Sequence, residues 1–285
     1  NDFLAVGNVV KTVRNIRILQ IAPRHFDFWS TMCNEGELLE RFNVQLAPIP
    51  MPELIDAVKA AKEDKKDVEA VMEYCKENMK IAITEEQLES VAALKVAMER
   101  LAKHYGCSAI AIQCWNALQG ELGIMPCAAN SLLNEEGIPV VCETDIHGAI
   151  TALLVEAASL DDTRSFFADW TVRHPDDENG ELLQHCGPWP ISVAKEKPTI
   201  GYPLAFDHPG AVEAEAKHGQ MTLCRFDGDN GEYSLLLGNA EGVEGPYTKG
   251  TYVWIKVENL KRLEEKLVTG PYIHHCVGIH KDVVP

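Results

Sequence analysis

The chain has 285 residues, 26 lysines and arginines against 43 aspartates and glutamates, and a formal net charge of −17. That balance excludes a nucleic-acid binder, which needs basic patches for the phosphate backbone. With 46% hydrophobic and 24% charged residues the composition is that of a globular protein. No apolar run approaches the roughly 20 residues needed to span a bilayer, and no basic-then-apolar leader opens the chain, so no membrane role is expected. The nine cysteines are odd in number, form no C-x-x-C pair and mostly sit in apolar runs. They read as reduced cytoplasmic thiols packed as small hydrophobes. The length suits roughly two domains of about 150 residues. The chain starts without Met and stops soon after an apolar segment, and both ends are expected to continue in a longer protein.

In chain order, Ile16 to Ile21 predicts a buried strand, followed by a helix from about Ser30 to Arg41 and a strand from Val44 to Pro48. Pro52 to Lys65 and Val68 to Lys80 are charged and helical, and are expected at the periphery. Thr84 to Gln87 carries a capping-box signature. Apolar residues recur from there at helical spacing up to Gly106, a natural helix stop. Ser108 to Ile112 is a second buried strand, Ala128 to Glu136 a short helix, and Ile138 to Val141 a third strand. An amphipathic helix capped by Thr144 or Asp145 follows at once. Alternating strands and helices imply parallel βαβ units. After about Ala158 the pattern changes to short β-rich runs, Ser165 to Val172, Met221 to Phe226, Tyr233 to Gly242 and Tyr252 to Val257, with one helix at Leu260 to Val268. The expected fold is therefore a parallel Rossmann-like α/β domain at 1–158 and a mainly antiparallel β domain at 159–285.

Glu143 stands at the carboxyl end of the third strand, where ligands of open α/β sheets collect. Asp169 lies inside an aromatic strand, His185 follows an apolar run, and His274 and His275 interrupt another. Two acids and two imidazoles in apolar surroundings are costly to bury apart, and clustering them around a cation removes much of that cost. Such a set suits Mn²⁺ or a similar divalent ion with open positions rather than a closed zinc site. Partial desolvation of Glu143 and Asp169 is expected to raise their basicity. Gln113, Trp115 and Asn116 end the second strand, and Arg24, His25 and Trp29 follow the first at its carboxyl end, which makes them candidates for substrate contact and equally for ordinary loop polarity. Cys142 and Cys186 flank the candidate ligands without an evident activating base in sequence, and are expected to pack. No phosphate-binding glycine loop and no nucleophile elbow occurs.

Residues 140–150 (VVCETDIHGAI), 166–170 (FFADW), 182–190 (LLQHCGPWP) and 272–278 (YIHHCVG), with the opening at 16–42, resemble the L-fucose and L-arabinose isomerase group of ketol isomerases. The likeness runs over most of the chain and rests on four motifs in order. It implies a metal-dependent aldose–ketose isomerase acting on a free sugar through an enediol. Glu143 and Asp169 match the group's two acids, which ligate a divalent metal, typically manganese, and shuttle the proton. His275 matches the histidine ligand common to both branches. His185 matches an additional histidine of the arabinose branch, whereas an aspartate at 169 matches the fucose branch, so the sugar stays open. The resemblance also implies an N-terminal domain absent here, further residues after the paired histidines, and a homo-oligomer in which a neighbour helps close the pocket. A metal-dependent aldolase or lyase, and a sugar-binding protein without turnover, stand as alternatives.

Overall fold

The computed structural model describes residues 2–204 and 207–284. Helix α1 (Asp2–Val13) leads into β1 (Arg17–Ile21), α2 (Glu35–Phe42) and β2 (Gln45–Ile49). Helices α3 (Met51–Glu63) and α4 (Lys65–Asn78), a short β3 (Lys80–Ile81) and the long α5 (Glu85–Tyr105) follow. Next come β4 (Ala109–Ile112), α6 (Ala117–Leu122), α7 (Cys127–Glu135), β5 (Val140–Val141) and α8 (Ile146–Ala158). Beyond them run β6 (Ser165–Arg173), β7 (Gly180–His185), β8 (Thr199–Gly201), β9 (Ala211–Glu215), β10 (Gly219–Asp229), β11 (Glu232–Val243), β12 (Thr251–Lys256), α9 (Leu260–Thr269) and β13 (His275–Ile279).

The fold is α/β, with one parallel sheet and one larger, mainly antiparallel sheet. The first has the order β2-β1-β4-β5, all parallel. Side-chain alternation splits its strands between two cores. Leu19, Ile21, Ile110 and Ile112 join the core built with α3, α4, α5 and α7, whereas Ile18, Ala109 and Ala111 join the one filled by α8. The second sheet has the order β11-β10-β13-β6-β7-β12-β9-β8-β3. Helix α5 begins and ends as its sequence predicts, with a reciprocal Thr84–Gln87 cap and Gly106 in the left-handed region.

Two of these expectations change. Helices α3 and α4 are core helices, because Leu54, Ile55, Val58, Val68, Met72 and Cys75 form an inward stripe beneath their charged outer faces. The chain after α4 supplies β3, which pairs in parallel with β8 in the second sheet. Helix α8 is not amphipathic: all its residues except Leu154 and Ala158 are buried. It lies between the sheets, sharing one core with Ala111 and Val141 on one side and Phe167 and Val277 on the other, so neither face meets water. The opening segment, which carries no clear periodicity, is helical and docks on α8, with Asn8 Nδ2 donating to the Ala157 carbonyl at 3.0 Å. Among the described residues no helix is long and apolar enough to cross a membrane.

Candidate metal centre

Strand β5 ends at Val141, and the chain enters α8 through a tight turn. Glu143 and Thr144 both take the left-handed backbone, with φ of 60° and 55°, a conformation that costs non-glycine residues about 1–3 kcal/mol. The turn is held by the Thr144 amide donating to the Ile112 carbonyl at 3.1 Å. Asp145 then caps α8, its Oδ1 accepting from the Gly148 amide at 2.9 Å. Gly148 is required here, since a Cβ would lie 2.6 Å from the Phe167 ring and 2.9 Å from the Asp145 carboxylate.

The facing residues come from adjacent strands of the second sheet. The β6–β13 register sets His275 opposite Asp169, and β7, the other neighbour of β6, ends on His185. His275 Nε2 lies 2.7 Å from Glu143 Oε2 and 3.4 Å from Asp169 Oδ1. Asp169, His185 and His275 present one donor atom each within 4.8 Å of one another, as do Glu143, His274 and His275. Glu143 Oε2, Asp169 Oδ1, His185 Nε2 and His275 Nε2 are buried and make no well-aligned hydrogen bond among the described residues, although Glu143 Oε2 and His275 Nε2 face each other at ion-pair distance. Unpartnered buried polar atoms are costly and uncommon. The side chains here fall into two overlapping triads that share His275, Glu143–His274–His275 and Asp169–His185–His275, and such a mix of carboxylate and imidazole donors could hold a divalent cation.

The other nitrogen of His275 is also committed. Its Nδ1 lies 2.8 Å from Asp145 Oδ2, the carboxylate partner that fixes tautomer and ring orientation in metal-ligating histidines. Arg225 on β10, fully buried, donates to both oxygens of Asp145 and also to Asp227 Oδ2, from Nε at 2.9 Å and Nη2 at 2.6 Å. Asp145 had a sequence signal only as a helix cap. Arg225, a lone cation in the apolar run Met221 to Phe226, carried a readable one.

Burial by itself raises Glu143 and lowers His275, but the surrounding charges win. His275, His274 and His185 hold the Glu143 carboxyl well below the usual carboxylate range. Glu143, Asp145 and Asp169 push the His275 imidazole up to about 9. Asp145, despite complete burial, is held low by Arg225 and His275. The rise in basicity expected for Glu143 is therefore reversed, because the imidazoles around it outweigh desolvation.

His274 precedes β13, so strand alternation does not turn it away from its neighbour. Its Nε2 lies 3.4 Å from Glu143 Oε2 and 3.6 Å from Asp169 Oδ1, and its Nδ1 is 2.8 Å from Ser30 Oγ. Both histidines thus face the same acids. Ser30 and Ile273 also line a cleft of about 610 Å³ with Trp29, Met32, Asp227 and Asp229, which places a ligand-sized space beside His274.

The remaining candidates spread around this point. Trp115 packs its ring against His25 and Phe28, and Phe28 in turn lies 5.5 Å from the His274 ring. His25, a candidate on the same grounds as Arg24, is buried, accepts from the Trp115 amide at 3.0 Å, and is lowered by that burial against the pull of Glu143. Gln113 continues β4, its amide bonded to the Ile21 carbonyl. Asn116 is exposed at a left-handed φ of 69°. Arg24 turns onto its own loop, donating to the carbonyls of His25 and Phe26 and lying over the Trp29 ring. The expectation that Cys186 has no basic neighbour is corrected: its Sγ lies 3.4 Å from His185 Nδ1, a contact between consecutive residues that the sequence pattern does not reveal.

No family model matches the chain. It is 27% identical over 287 aligned residues to a sulfoquinovose isomerase of Alkalicoccus urumqiensis and 25% identical over the same length to one of Priestia aryabhattai, covering 98% of this chain in both cases. A sulfoquinovose isomerase of Clostridium sp. (strain MSTE9) is 26% identical over 196 residues, 68% of this chain and 42% of its own length. The chain is similar to sugar isomerases. Their printed name is not that of the L-fucose or L-arabinose enzymes that the motifs resemble. The chain spans 63% of the length of the first two relatives.

Proposed function

We propose that the protein carrying this chain interconverts a free aldose and its ketose through an enediol, with sulfoquinovose, the sugar in the relatives' name, the first substrate to try. The carrying observation is the buried acid–imidazole cluster of Glu143, Asp169, His185 and His275, whose facing atoms make no well-aligned hydrogen bond among the described residues, a donor set with carboxylates available to the reacting carbons. These four residues would hold the divalent cation, Mn²⁺ in the first instance, which when bound polarises a carbonyl and grips neighbouring sugar oxygens. Glu143 and Asp169 carry the proton: one carboxylate lifts it from the carbon beside the carbonyl, and it returns to the former carbonyl carbon as the enediol collapses. Asp169 is about one-third exposed and Glu143 almost wholly buried. This suits Asp169 to meet the sugar from the solvent side and Glu143 to close the dry side. Residues 1–158 and 159–285 act in this reading as two domains meeting at the site, and the full-length protein as a homo-oligomer whose neighbour helps close the pocket.

The test is turnover of the full-length, manganese-loaded protein in D₂O. The ketose and recovered aldose are expected to carry solvent deuterium at C1 or C2. Glu143→Gln and Asp169→Asn should each slow turnover at least about a hundredfold, with metal content measured on the same samples, and His275→Ala should lower metal content. Isomerisation without deuterium uptake counts against proton transfer. Near-normal turnover of both acid variants with metal bound removes the acids from the reaction.

A further inference from the structure

The ring of His185 has two faces of different chemistry. Its Nε2 belongs to the buried set shared with Asp169 and His275. Its Nδ1 lies 3.4 Å from Cys186 Sγ, and Cys142 Sγ, His185 and Cys186 Sγ present donors within 4.8 Å of one another. Cys127 Sγ is 3.3 Å from Cys186 Sγ. The three thiols come from separate elements: Cys142 follows β5, Cys127 opens α7 and Cys186 follows β7. All are free.

We propose that Cys142, Cys186 and Nδ1 of His185, with Cys127 as the nearest further donor, form a second cation site that takes a thiophilic ion, Zn²⁺ in the first instance. Tetrahedral zinc, with bonds of about 2.3 Å to sulfur and about 2.0 Å to nitrogen, holds its donors roughly 3.4–3.8 Å apart. Cys186 Sγ already stands 3.4 Å from His185 Nδ1 and 3.3 Å from Cys127 Sγ, and Cys142 Sγ lies within 4.8 Å of the first pair and would move in. A second observation points the same way. Asn130, fully buried, directs its Nδ2 at Cys142 Sγ at 3.6 Å, while its Oδ1 has no partner among the described residues. The carboxamide N–H gives the Cys142 sulfur a polar partner, while the neighbouring Cys114 and Cys186 thiols, and then burial, favour its protonated form, so a bound ion would have to displace that proton. Thiols packed only as hydrophobes need neither a carboxamide donor nor an imidazole nitrogen beside them.

Binding releases the thiol protons to solvent, and with both faces of His185 ligating, the ring's remaining N–H proton as well, so affinity rises with pH. The soft site is distinct in preference from the carboxylate site on the other face of the ring, because thiolates select zinc-like ions and carboxylates harder ones. One imidazole then joins the two, and a filled thiol site fixes the orientation of Nε2 towards Asp169 and His275. The inference stands on this geometry whether or not the isomerase reading holds.

The experiment uses the reduced protein freed of metal by a chelator. Zn²⁺ is expected to slow alkylation of Cys142 and Cys186, followed by mass spectrometry, about tenfold or more, while Cys33 and Cys107 react at unchanged rates. Cd²⁺ is expected to produce the ultraviolet thiolate-to-metal absorption in the wild-type protein. That absorption should be lost in Cys142→Ser and in Cys186→Ser, with Mn²⁺ binding retained in both. The alkylation measurement needs no variant, so a misfolded substitution does not remove the test. Equal protection at Cys33 and Cys107, equal protection by Mn²⁺ alone, or cadmium absorption that survives in the double variant overturns the proposal. So does a zinc-insensitive Cys127–Cys186 disulfide in freshly isolated protein, which would make the pair a redox couple.

Discussion

The two sides of the candidate centre are built by different means. On one side Glu143 and Asp145 sit in a single turn, placed by two consecutive left-handed residues and a helix cap. On the other, Asp169, His185 and His275 sit on adjacent strands, placed by two registers. One sets His275 opposite Asp169 from a distant part of the chain, and the other pairs Asp169 with Gln184, beside His185. The turn stores local strain, whereas the ladder spreads its positioning over many backbone bonds. Arg225 couples the two, reaching from β10 to the carboxylate that orients His275. The turn is therefore expected to be fragile to small substitutions and the ladder to be fragile to loss of the coupling charge.

The largest expected effect tests that coupling. Arg225→Met leaves Asp145 and Asp227 buried without their cation, and should cost about 3–5 kcal/mol of stability in urea unfolding. Arg225→Lys keeps the charge but not the planar fork and should fall in between. A loss below about 1 kcal/mol for the Met variant would mean that the two sides stand independently. Next comes the turn itself. Gly148→Ala forces the Phe167 ring and the Asp145 carboxylate apart and should cost about 1–3 kcal/mol. A neutral result would show that α8 can shift freely between the sheets.

A gentler substitution separates capping from orientation. Asp145→Asn keeps a good N-cap but withdraws the charge facing His275 Nδ1. Metal affinity by calorimetry should fall about 10- to 100-fold in a protein that remains folded. Unchanged affinity would detach the turn from the ladder.

The smallest effect lies outside the centre, on β7. Burial and then Glu264 raise the Glu181 carboxyl to about 7, against the opposing pull of Arg173. The folded state thus binds this proton more tightly than the unfolded chain. The associated stability is full below the unfolded carboxylate value and is lost as pH rises through about 7. Glu181→Gln has no such proton to lose, so its stability relative to wild type should improve between about pH 5 and 8, by on the order of 1 kcal/mol after allowance for solvent screening. Parallel pH profiles for the two proteins would remove Glu181 as a titrating group in this range.

Much of the architecture was legible because it depends on local pattern. The capping box and Gly106 bound α5, and the four strands of the parallel sheet fall where apolar runs predict them. The placement of α3 and α4 was misread because their charge content masks a narrow inward stripe. For α8 the error was the converse. A helix buried between two sheets needs no polar face, and only the presence of the second sheet makes that so.

The sequence by itself supplied the candidates for the centre: acids and histidines interrupting apolar runs, each costly to bury alone. It also narrowed the cap of the next helix to Thr144 or Asp145, of which Asp145 is the one. Only the tertiary structure decided which nitrogen of each imidazole faces which partner. It also brought His274 to the same acids as His275, recruited Arg225 to Asp145, and gathered thiols from three elements behind His185. The reason is physical: a side chain's chemical type and local backbone preference are properties of the chain nearby. Its partner across a sheet is set by strand register and by the packing of distant elements, which no short stretch of residues encodes.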